Sequence, residues 1–398
     1  MRVEILCTGD EILTGKTTNT NYSHMARRLT EVGLDVHWGT TVGDDRETLL
    51  QAFRQAGQRA DAVIVNGGLG PTVDDLSQEL AAEACGVELV LNEYWMQRMT
   101  ESYARRGRVM PANNRKQAML PANAEFIDNP IGTACGFAVT IGKARFLFTP
   151  GVPREMRRML DEQVIPRLLK LAGVASVTRL KRFHSFGIGE SRADELLAGI
   201  PGLAIDGDIK LGFQAHYPQL ETKLAIRAAD ETELNIRLAP VEAEVRKRLG
   251  NFVVAEDNDS LESVVLAQLK NARLTLAIGE TTTGGIVAAR IAPLPGAEDV
   301  FVRGVIAKEI FAEALRKESG AGIALTVDTK LDEGADRPDF GATITIGIAG
   351  AKGAVSRTAR LVGGRDWVRV GACELGLDCL RRHLLGLPVD ERIDFERR

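Results

Sequence analysis

Cysteine and histidine are scarce in this chain, and neither occurs at a spacing typical of a metal site or a disulfide framework. The chain holds five cysteines and five histidines among 398 residues. The cysteines lie without paired spacing, which is typical of a protein from a reducing compartment. No two histidines form an H-x-x-x-H pair, so the sequence argues against histidine-based zinc chemistry.

Long apolar runs and a strong excess of one charge are also missing. No uninterrupted apolar stretch approaches the roughly 20 residues that a membrane-spanning helix needs, and the first residues predict a strand rather than a signal peptide. The net charge is −4 and the isoelectric point is near 5.9. This weak acidity argues against nucleic acid or an anionic membrane as the main partner. We therefore expect a soluble, cytoplasmic protein with a small-molecule ligand.

Strand and helix patterns alternate over residues 1–172, the first of three predicted domains. Residues 62–65 form an apolar run that predicts a buried strand, and residues 21–32 carry apolar side chains at helical spacing. This alternation predicts an α/β fold, with helices on both faces of a mostly parallel sheet in three layers. Ligands of such sheets bind beyond the carboxyl ends of the strands, so we expect four strand ends to converge on one crevice.

Residues 173–256 and 257–398 form the other two predicted domains. The middle region shows strand and helix patterns, with Pro240 expected to break or kink the longer helix, and predicts a small α+β connecting domain. The last region carries a glycine turn, Thr283-Gly284-Gly285, between a strand and a helix, and ends in a helix with an apolar stripe. It predicts a second α/β domain.

The most informative stretch is residues 67–75, Gly-Gly-Leu-Gly-Pro-Thr-Val-Asp-Asp, which connects a predicted strand to a predicted helix. A glycine turn at a helix N-terminus offers backbone N–H groups and the positive end of the helix dipole to a phosphate. The alternative is a tight connection that needs positive φ and binds nothing. The phosphate contacts predicted in this stretch are Gly67, Gly68, Leu69, Gly70, Pro71, Thr72 and Asp74.

Carboxylates follow three of the predicted strands and suggest a divalent metal. Asp10 follows the first strand, Asp44 the second, and Asp75 the glycine stretch. Mg²⁺ commonly takes one or two protein carboxylates and fills its other positions with phosphate oxygens and water. Asp44 and Asp75 are the preferred metal pair, and Asp10, Asp44 and Asp75 are the predicted catalytic residues. The alternative for Asp74 and Asp75 is stabilisation by the helix dipole alone.

Two further segments carry groups that suit a ligand. Three amide side chains and two cations at residues 113–117 suit phosphate or base contacts, although a solvated helix start explains them nearly as well. The loop at residues 132–137 can bring its backbone close to a ligand. The predicted contacts outside the glycine stretch are Gly9, Glu11, Asn114, Lys116, Gln117, Gly132 and Thr133.

Together these segments resemble the CinA family (competence/damage-inducible protein). The matching segments cover the first domain in order: 8–15, 42–45, 66–75, 114–118, 129–134 and 150–156. The resemblance implies a MoaB/MogA-like molybdopterin-binding fold, with Asp44 and Asp75 on its active-site carboxylates. It also implies metal-dependent ADP-ribose pyrophosphatase activity and a homodimer. An Asp-Thr-Asn segment of the family appears here as Asn19-Thr20-Asn21, which places Asn19 and Asn21 at the site and removes one carboxylate.

The resemblance extends to the last domain, which in the family is a nicotinamide-mononucleotide amidase with a serine in an Ala-Glu-Ser-Cys-Thr-Gly-Gly segment. Thr281 replaces that serine here. The family's tyrosine and lysine fall on Lys308 and Glu313, and its glycine-rich loop falls on residues 326–332, which contain no glycine. Threonine keeps a hydroxyl, but its methyl restricts χ1 and crowds the attack. We therefore expect these to be degenerate amidase positions in an inactive domain.

The main functional prediction is a metal-dependent nucleotide pyrophosphatase in the first domain. It would hydrolyse ADP-ribose or a related nucleotide diphosphate with Mg²⁺, Co²⁺ or Ni²⁺, because the groups of that site are still largely complete. One alternative is a binding module that holds a pterin or nucleotide in the same site without turnover. The other is a residual nicotinamide-mononucleotide deamidase in the last domain that uses Thr281.

Overall fold

The structure, a computed structural model, describes residues 1–173, 177–203, 208–334 and 340–396. These residues form two compact units. The first unit spans Met1–Thr178 with Ala228–Asp230, and the second spans Arg179–Arg227 with Glu231–Arg398. The predicted boundary between residues 256 and 257 lies inside the second unit and stays a prediction. Among the described residues, no helix combines the length and the apolar character that crossing a membrane requires.

The first unit is a three-layer α/β domain, as predicted. Its strands are β1 (Val3–Thr8), β2 (Val36–Val42), β3 (Ala62–Asn66), β4 (Leu89–Leu91), β5 (Met119–Pro121), β6 (Glu125–Ile127), β7 (Gly136–Ile141) and β8 (Ala144–Thr149). Its helices are α1 (Asp10–Leu13), α2 (Thr20–Glu31), α3 (Arg46–Arg59), α4 (Ser77–Cys85), α5 (Glu93–Arg105), α6 (Pro153–Met159) and α7 (Ile165–Ala172). A short 3₁₀ helix covers Ala112–Ala118.

A six-stranded sheet in the order β2-β1-β3-β8-β7-β6 forms the middle layer. The pairs from β2 to β8 are parallel, and β7 and β6 are antiparallel additions. Alternate residues of β3 enter opposite cores: Val63 and Val65 pack with Phe53 on one face, whereas Ala62 and Ile64 pack with Met25 on the other. Burial on both faces explains why residues 62–65 of β3 form an unbroken apolar run.

Pro166 divides the helix that the sequence predicts over residues 154–171. A π-helical segment, Leu160–Val164, separates α6 from α7, and Pro166 lies in the first turn of α7. Proline lacks the N–H group that would continue the regular ladder, and a widened turn absorbs that loss. The predicted kink or split is therefore confirmed.

The second unit contains a small α+β region followed by an α/β region. Its strands are β9 (Val177–Phe186), β10 (Ile209–His216), β11 (Gln219–Ala228), β12 (Val253–Glu256), β13 (Leu276–Glu280), β14 (Phe301–Ile306), β15 (Ile323–Leu331), β16 (Gly341–Gly350) and β17 (Gly353–Val362). Its helices are α8 (Glu190–Leu197), α9 (Glu231–Leu249), α10 (Leu261–Ala272), α11 (Ile286–Ile291), α12 (Ala312–Ser319) and α13 (Arg365–Leu385). Pro240 lies inside α9, which is one continuous helix rather than two.

The five-stranded sheet of this unit positions its candidate site. The order is β14-β13-β15-β16-β17, and β13 pairs in parallel with both β14 and β15. Glu280, the last residue of β13, pairs with Val327 of β15. The residues that follow this pair therefore lie side by side at the carboxyl edge of the sheet. Residues 326–331, which the family resemblance equates with a glycine-rich loop, belong to the regular strand β15.

Candidate functional site

Four parallel strands of the first unit end at one edge of the sheet and surround a cavity of about 460 Å³. Because β1, β2, β3 and β8 run in parallel, their carboxyl ends lie at the same edge. We call this the strand-end cavity. It is lined by Thr8, Gly9, Glu11, Asp44, Gly67, Gly68, Leu69, Gly70, Pro71, Asp74, Asp75, Gln117, Thr133, Ala134, Pro150, Gly151, Val152 and Glu155. The structure thus brings most of the predicted contacts together.

Close packing requires glycine at residues 67, 68 and 70, which line the strand-end cavity, and positive φ also requires it at residues 67 and 68. Gly67 and Gly68 have φ of +112° and +68°. A Cβ on Gly67 would lie 2.6 Å from Thr8 Oγ1, one on Gly68 would collide with Ser77 Oγ, and one on Gly70 would collide with the Asp75 carboxylate. The backbone can therefore approach a ligand at these positions because no side chain intervenes.

Asp10 and Asp44 hold each other across the ends of β1 and β2. The Asp10 amide donates to Asp44 Oδ2 at 3.1 Å, and the Asp44 amide donates to Asp10 Oδ1 at 3.1 Å. Burial raises the pKa of the Asp44 carboxyl, and the carboxylates of Asp10, Glu11 and Asp74 act in the same direction. Asp44 thus lines the cavity, whereas Asp10 braces the turn beneath it.

Asp75 lines the cavity while closing the turn that begins at Thr72. The Thr72 amide donates to Asp75 Oδ2 at 2.9 Å, and the Thr72 hydroxyl donates to the same oxygen. The described residues contain no group of three or more histidine, cysteine or acidic side chains placed to hold a metal. A metal held by Asp44 and Asp75 would need oxygen ligands from substrate and water, so this metal stays a prediction.

Asn19 and Asn21, two of the predicted contacts, stabilise the backbone next to the cavity and do not line it. Asn19 caps α2 by accepting from the Tyr22 amide at 2.9 Å. Asn21 is buried and donates to Asn66 Oδ1 at 3.0 Å and to the Gly151 carbonyl at 2.7 Å. Both residues therefore fix the ends of α2, β3 and β8 rather than face the cavity.

Residues of the 3₁₀ helix donate hydrogen bonds to backbone carbonyls of the glycine stretch. Asn114 Nδ2 donates to Gln117 Oε1 at 2.8 Å, and Lys116 Nζ donates to the Thr72 carbonyl at 2.6 Å. Gln117 Nε2 donates to the Leu69 carbonyl at 3.4 Å and itself reaches the cavity wall. Gly132 lines a different cavity of the same unit.

Thr8 and Glu155 line the cavity but were not among the predicted contacts. Thr8 is 7% exposed, and no described residue forms a hydrogen bond with its Oγ1. Glu155 lies in the first turn of α6, where its Oε2 accepts from Asn129 Nδ2 at 2.8 Å. Thr8 precedes the glycine-aspartate motif directly, so its place at a strand end was the available signal.

The turn Thr281–Gly285 of the second unit holds a hydroxyl beside a carboxylate. Thr281 Oγ1 donates to Asp328 Oδ1 at 3.1 Å and accepts from the Thr329 amide at 2.8 Å. Thr281 follows β13 directly, and Asp328 lies on the adjacent strand β15. This pair was missed at the level of sequence, because its members lie 47 residues apart.

Glu280 and Arg369 hold this turn in place. The Glu280 side chain is buried and accepts from the amides of Gly285, Val287 and Ala288 at 3.1, 3.1 and 2.9 Å. It therefore satisfies the N-terminus of α11. Arg369 Nη2 donates to the Thr283 carbonyl at 3.1 Å, whereas its buried Nε has no partner among the described residues.

Lys308 and Glu313 are both exposed. Lys308 follows Ala307, whose amide donates to the Glu280 carbonyl at 3.0 Å, so it lies at the same sheet edge as Thr281. Glu313 lies in the first turn of α12. Neither side chain forms a hydrogen bond or an ion pair with Thr281 in the described part of the chain.

Comparison with known proteins places each region in a family. Residues 4–170 match the model described as "Probable molybdopterin binding domain". Residues 180–255 match "Damage-inducible protein CinA KH domain", and residues 258–318 match "CinA C-terminal domain". The predicted molybdopterin-binding fold of the first unit is thus confirmed.

Curated relatives match nearly the whole chain. The chain is 35% identical to a CinA-like protein from Shewanella amazonensis, over 98% of this chain and 97% of the relative. It is also 35% identical to the nicotinamide-nucleotide amidohydrolase PncC of Shewanella oneidensis, with the same coverage. A crystal structure of CinA from Thermoplasma acidophilum is 34% identical, with a TM-score of 0.38, over 42% of this chain and 96% of that one.

These relatives contradict the main functional prediction. A full-length relative carries the name of an amide hydrolase of nicotinamide nucleotides, and the region of Thr281 matches the CinA C-terminal domain. The prediction of an ADP-ribose pyrophosphatase with an inactive last domain is therefore wrong, and the deamidase alternative fits better. The resemblance to the family itself is confirmed by identity over nearly the full length. The chain belongs to the CinA family.

Proposed function

We propose that this protein is a hydrolase that converts the carboxamide of a nicotinamide nucleotide to a carboxylate at Thr281. The observation that carries the proposal is the Thr281 hydroxyl held between Asp328 Oδ1 at 3.1 Å and the Thr329 amide at 2.8 Å. A nucleophile bonded to its base and oriented by a third group is the arrangement that covalent catalysis needs. The relative from Shewanella oneidensis supports the choice of substrate.

The first half-reaction would form an acyl-enzyme ester. Thr281 Oγ1 attacks the carboxamide carbon while its proton passes to the Asp328 carboxylate, the acceptor of its hydrogen bond. The tetrahedral adduct then collapses, the C–N bond breaks, and Asp328 returns the proton to the leaving nitrogen. Ammonia departs and the acyl group stays on Thr281.

The second half-reaction would release the acid. Water attacks the ester carbon and gives a proton to Asp328 as the C–O bond forms. The bond to Thr281 Oγ1 then breaks, and Asp328 returns that proton to the threonine oxygen. The sum is amide plus water giving carboxylate plus ammonium, with the enzyme regenerated.

Arg369 is the proposed contact for the nucleotide phosphate. Its Nη2 lies 3.1 Å from the Thr283 carbonyl, which brings the guanidinium to the turn Thr281–Gly285. Its Nη1 lies 3.6 Å from Oδ1 of the exposed Asp366. The planar guanidinium suits a phosphate oxygen.

The test is deamidation of nicotinamide mononucleotide by the purified full chain, followed as ammonia release and as the nucleotide acid. We expect activity that Thr281→Ala lowers by about 10⁴-fold or more, to a small residual rate, and that Asp328→Asn lowers by about 10²-fold or more. Thr343→Ala, at an exposed threonine of β16, is the matched control and should retain full activity. Activity that Thr281→Ala leaves unchanged, or a wild type without activity, would overturn the proposal.

A second proposed function belongs to the strand-end cavity, which would bind a phosphorylated pterin or nucleotide without turnover. Its support is the glycine stretch in the wall of the cavity, where Gly67 and Gly68 leave the backbone open beside the carboxylates of Asp44 and Asp75. A divalent metal would be held by those two carboxylates and would neutralise phosphate charge. Calorimetry with inorganic pyrophosphate, with and without Mg²⁺, tests both parts. Binding that is unchanged in Asp75→Ala would exclude the metal pair.

The predicted homodimer likewise stays a proposal, to be tested by light scattering.

A further inference from the structure

A separate cavity of the first unit has a wall rich in guanidinium groups. It measures about 250 Å³ and lies between α5 and the turn at residues 130–132. Arg98, Ser102, Arg105 and Arg106 line it from one side. Their spacing of i, i+4, i+7 and i+8 places all four on one face of α5 and its C-cap. We call this cavity the arginine pocket.

Arg98 is fixed in the wall of the arginine pocket by neighbours of two kinds. Its guanidinium pairs with Asp128, and its central carbon lies 4.9 Å from the centre of the Trp95 ring. Trp95 in turn donates from Nε1 to the Thr133 carbonyl at 2.9 Å. One cation of the pocket is therefore already compensated and held rigidly.

Arg105 and Arg106 are exposed, and neither forms an ion pair within the described part of the chain. A basic residue in the last turn of a helix is favoured by the helix dipole, which accounts for Arg105 taken alone. The dipole does not explain why Arg98, Ser102 and both terminal arginines converge on one concave surface. Two uncompensated cations in a chain of net charge −4 indicate an anionic ligand.

The opposite wall of the pocket is a rigid turn. Asn129 Oδ1 accepts from the amides of Ile131 and Gly132 at 3.3 and 3.0 Å, and Asn129 Nδ2 donates to the Ala134 carbonyl at 2.8 Å. The same turn places Thr133 and Ala134 in the wall of the strand-end cavity. One short segment of backbone therefore separates the two cavities.

We propose that the arginine pocket binds a phosphate monoester group. The planar forks of Arg105 and Arg106 match two phosphate oxygens, and the Ser102 hydroxyl can donate to a third. This binding site is independent of amide hydrolysis at Thr281. The phosphate can belong to a free monoester or to the far end of a ligand that also occupies the strand-end cavity.

The test uses the indole N–H signals of the full chain in ¹⁵N NMR spectra. The chain has three tryptophans, and Trp38→Phe and Trp367→Phe assign the Trp95 signal by elimination. Titration with inorganic phosphate should move the Trp95 signal saturably. Arg105→Gln/Arg106→Gln should weaken this binding by about 10-fold or more, since each lost contact is a charge-assisted hydrogen bond.

The control variant, Arg54→Gln/Arg157→Gln, removes two exposed arginines from other surfaces of the same unit. We expect it to leave the titration within about twofold of wild type, because screening at physiological salt limits distant charges. An immobile Trp95 signal, or equal losses in the two double variants, would overturn the proposal. Titration with adenosine monophosphate distinguishes a free monoester from a ligand that also occupies the strand-end cavity. Thr8→Val should weaken its effect on Trp95 only if the ligand also fills the strand-end cavity.

Discussion

Replacing Thr8 with valine should stabilise the free protein and weaken phosphate binding in the strand-end cavity. Thr8 ends β1, is 7% exposed, and has no hydrogen-bond partner for Oγ1 among the described residues. Its hydroxyl lies beside Gly67, 2.6 Å from the position that a Cβ on that glycine would occupy. Valine keeps the β-branched shape and removes only the hydroxyl. A buried hydroxyl without a partner destabilises the free protein, and it can donate a hydrogen bond to a phosphate oxygen once a ligand binds.

The two effects have opposite signs and comparable sizes. Leaving a buried polar group unpaired costs about 1–3 kcal/mol, so valine should raise the free energy of unfolding by about 1 kcal/mol or more. For a unit of this size, 1 kcal/mol corresponds to about 2–4 °C in Tm. A hydrogen bond to a charged phosphate is worth about 1.5–3 kcal/mol, which corresponds to a loss of about 10-fold or more in affinity.

Differential scanning calorimetry of the full chain measures the first effect, and titration calorimetry with inorganic pyrophosphate measures the second. Thr149→Val is the matched control. Thr149 is fully buried, but its hydroxyl donates to the Val65 carbonyl at 3.2 Å and accepts from Asn66 at 3.2 Å. The same substitution should therefore lower Tm at Thr149. A lower Tm in Thr8→Val, or unchanged pyrophosphate affinity, would refute the reasoning.

Three further perturbations test other parts of the structure. If Thr281 and Asp328 act as one unit, the double variant Thr281→Ala/Asp328→Asn should deamidate no more slowly than Thr281→Ala alone; additive losses in kcat would separate their roles. Gly68→Ala should destabilise the first unit by about 1–3 kcal/mol more than Gly86→Ala in urea unfolding, because both glycines have similar positive φ but only Gly68 would meet a side chain. An arginine hydrogen bond holds the pKa of Glu256 at about 2, below its ordinary 4.5. The stability that Glu256 contributes should therefore be present above about pH 4.5 and be lost as pH falls towards 2; Glu256→Gln should flatten that part of the stability curve, and an unchanged curve would exclude the pair.

The architecture of the first unit was predictable because its central strands are buried on both faces. The strands Val3–Thr8 and Ala62–Asn66 are buried throughout and mostly apolar, and each is followed by glycine at the edge where ligands bind. The short strands β4, β5 and β6 have three residues each. A strand of that length carries too few alternations to reveal a period of two, so these strands were not predicted.

Individual side chains of the site were less predictable, since one residue type can serve two purposes. Asn19 precedes a helix, where asparagine is both a good N-cap and a plausible ligand group; the structure uses it as the cap. Lys116 lies among amides and was expected to face phosphate, but it binds the Thr72 carbonyl. Deciding between these uses requires knowing which strand ends lie opposite, and that information is tertiary.

The same limit explains why the turn Thr281–Gly285 was misjudged. Compared position by position with a family motif, Thr281 and the glycine-free segment 326–332 count as two separate losses. The parallel register Glu280↔Val327 makes the next residues of the two strands neighbours, so Thr281 and Asp328 form one hydrogen-bonded pair. Substitutions that look like decay along the chain can therefore compensate one another across a sheet. A motif at the carboxyl edge of parallel strands is best compared as a set of register-matched pairs, because neighbouring strand ends, and not consecutive residues, hold the reacting groups.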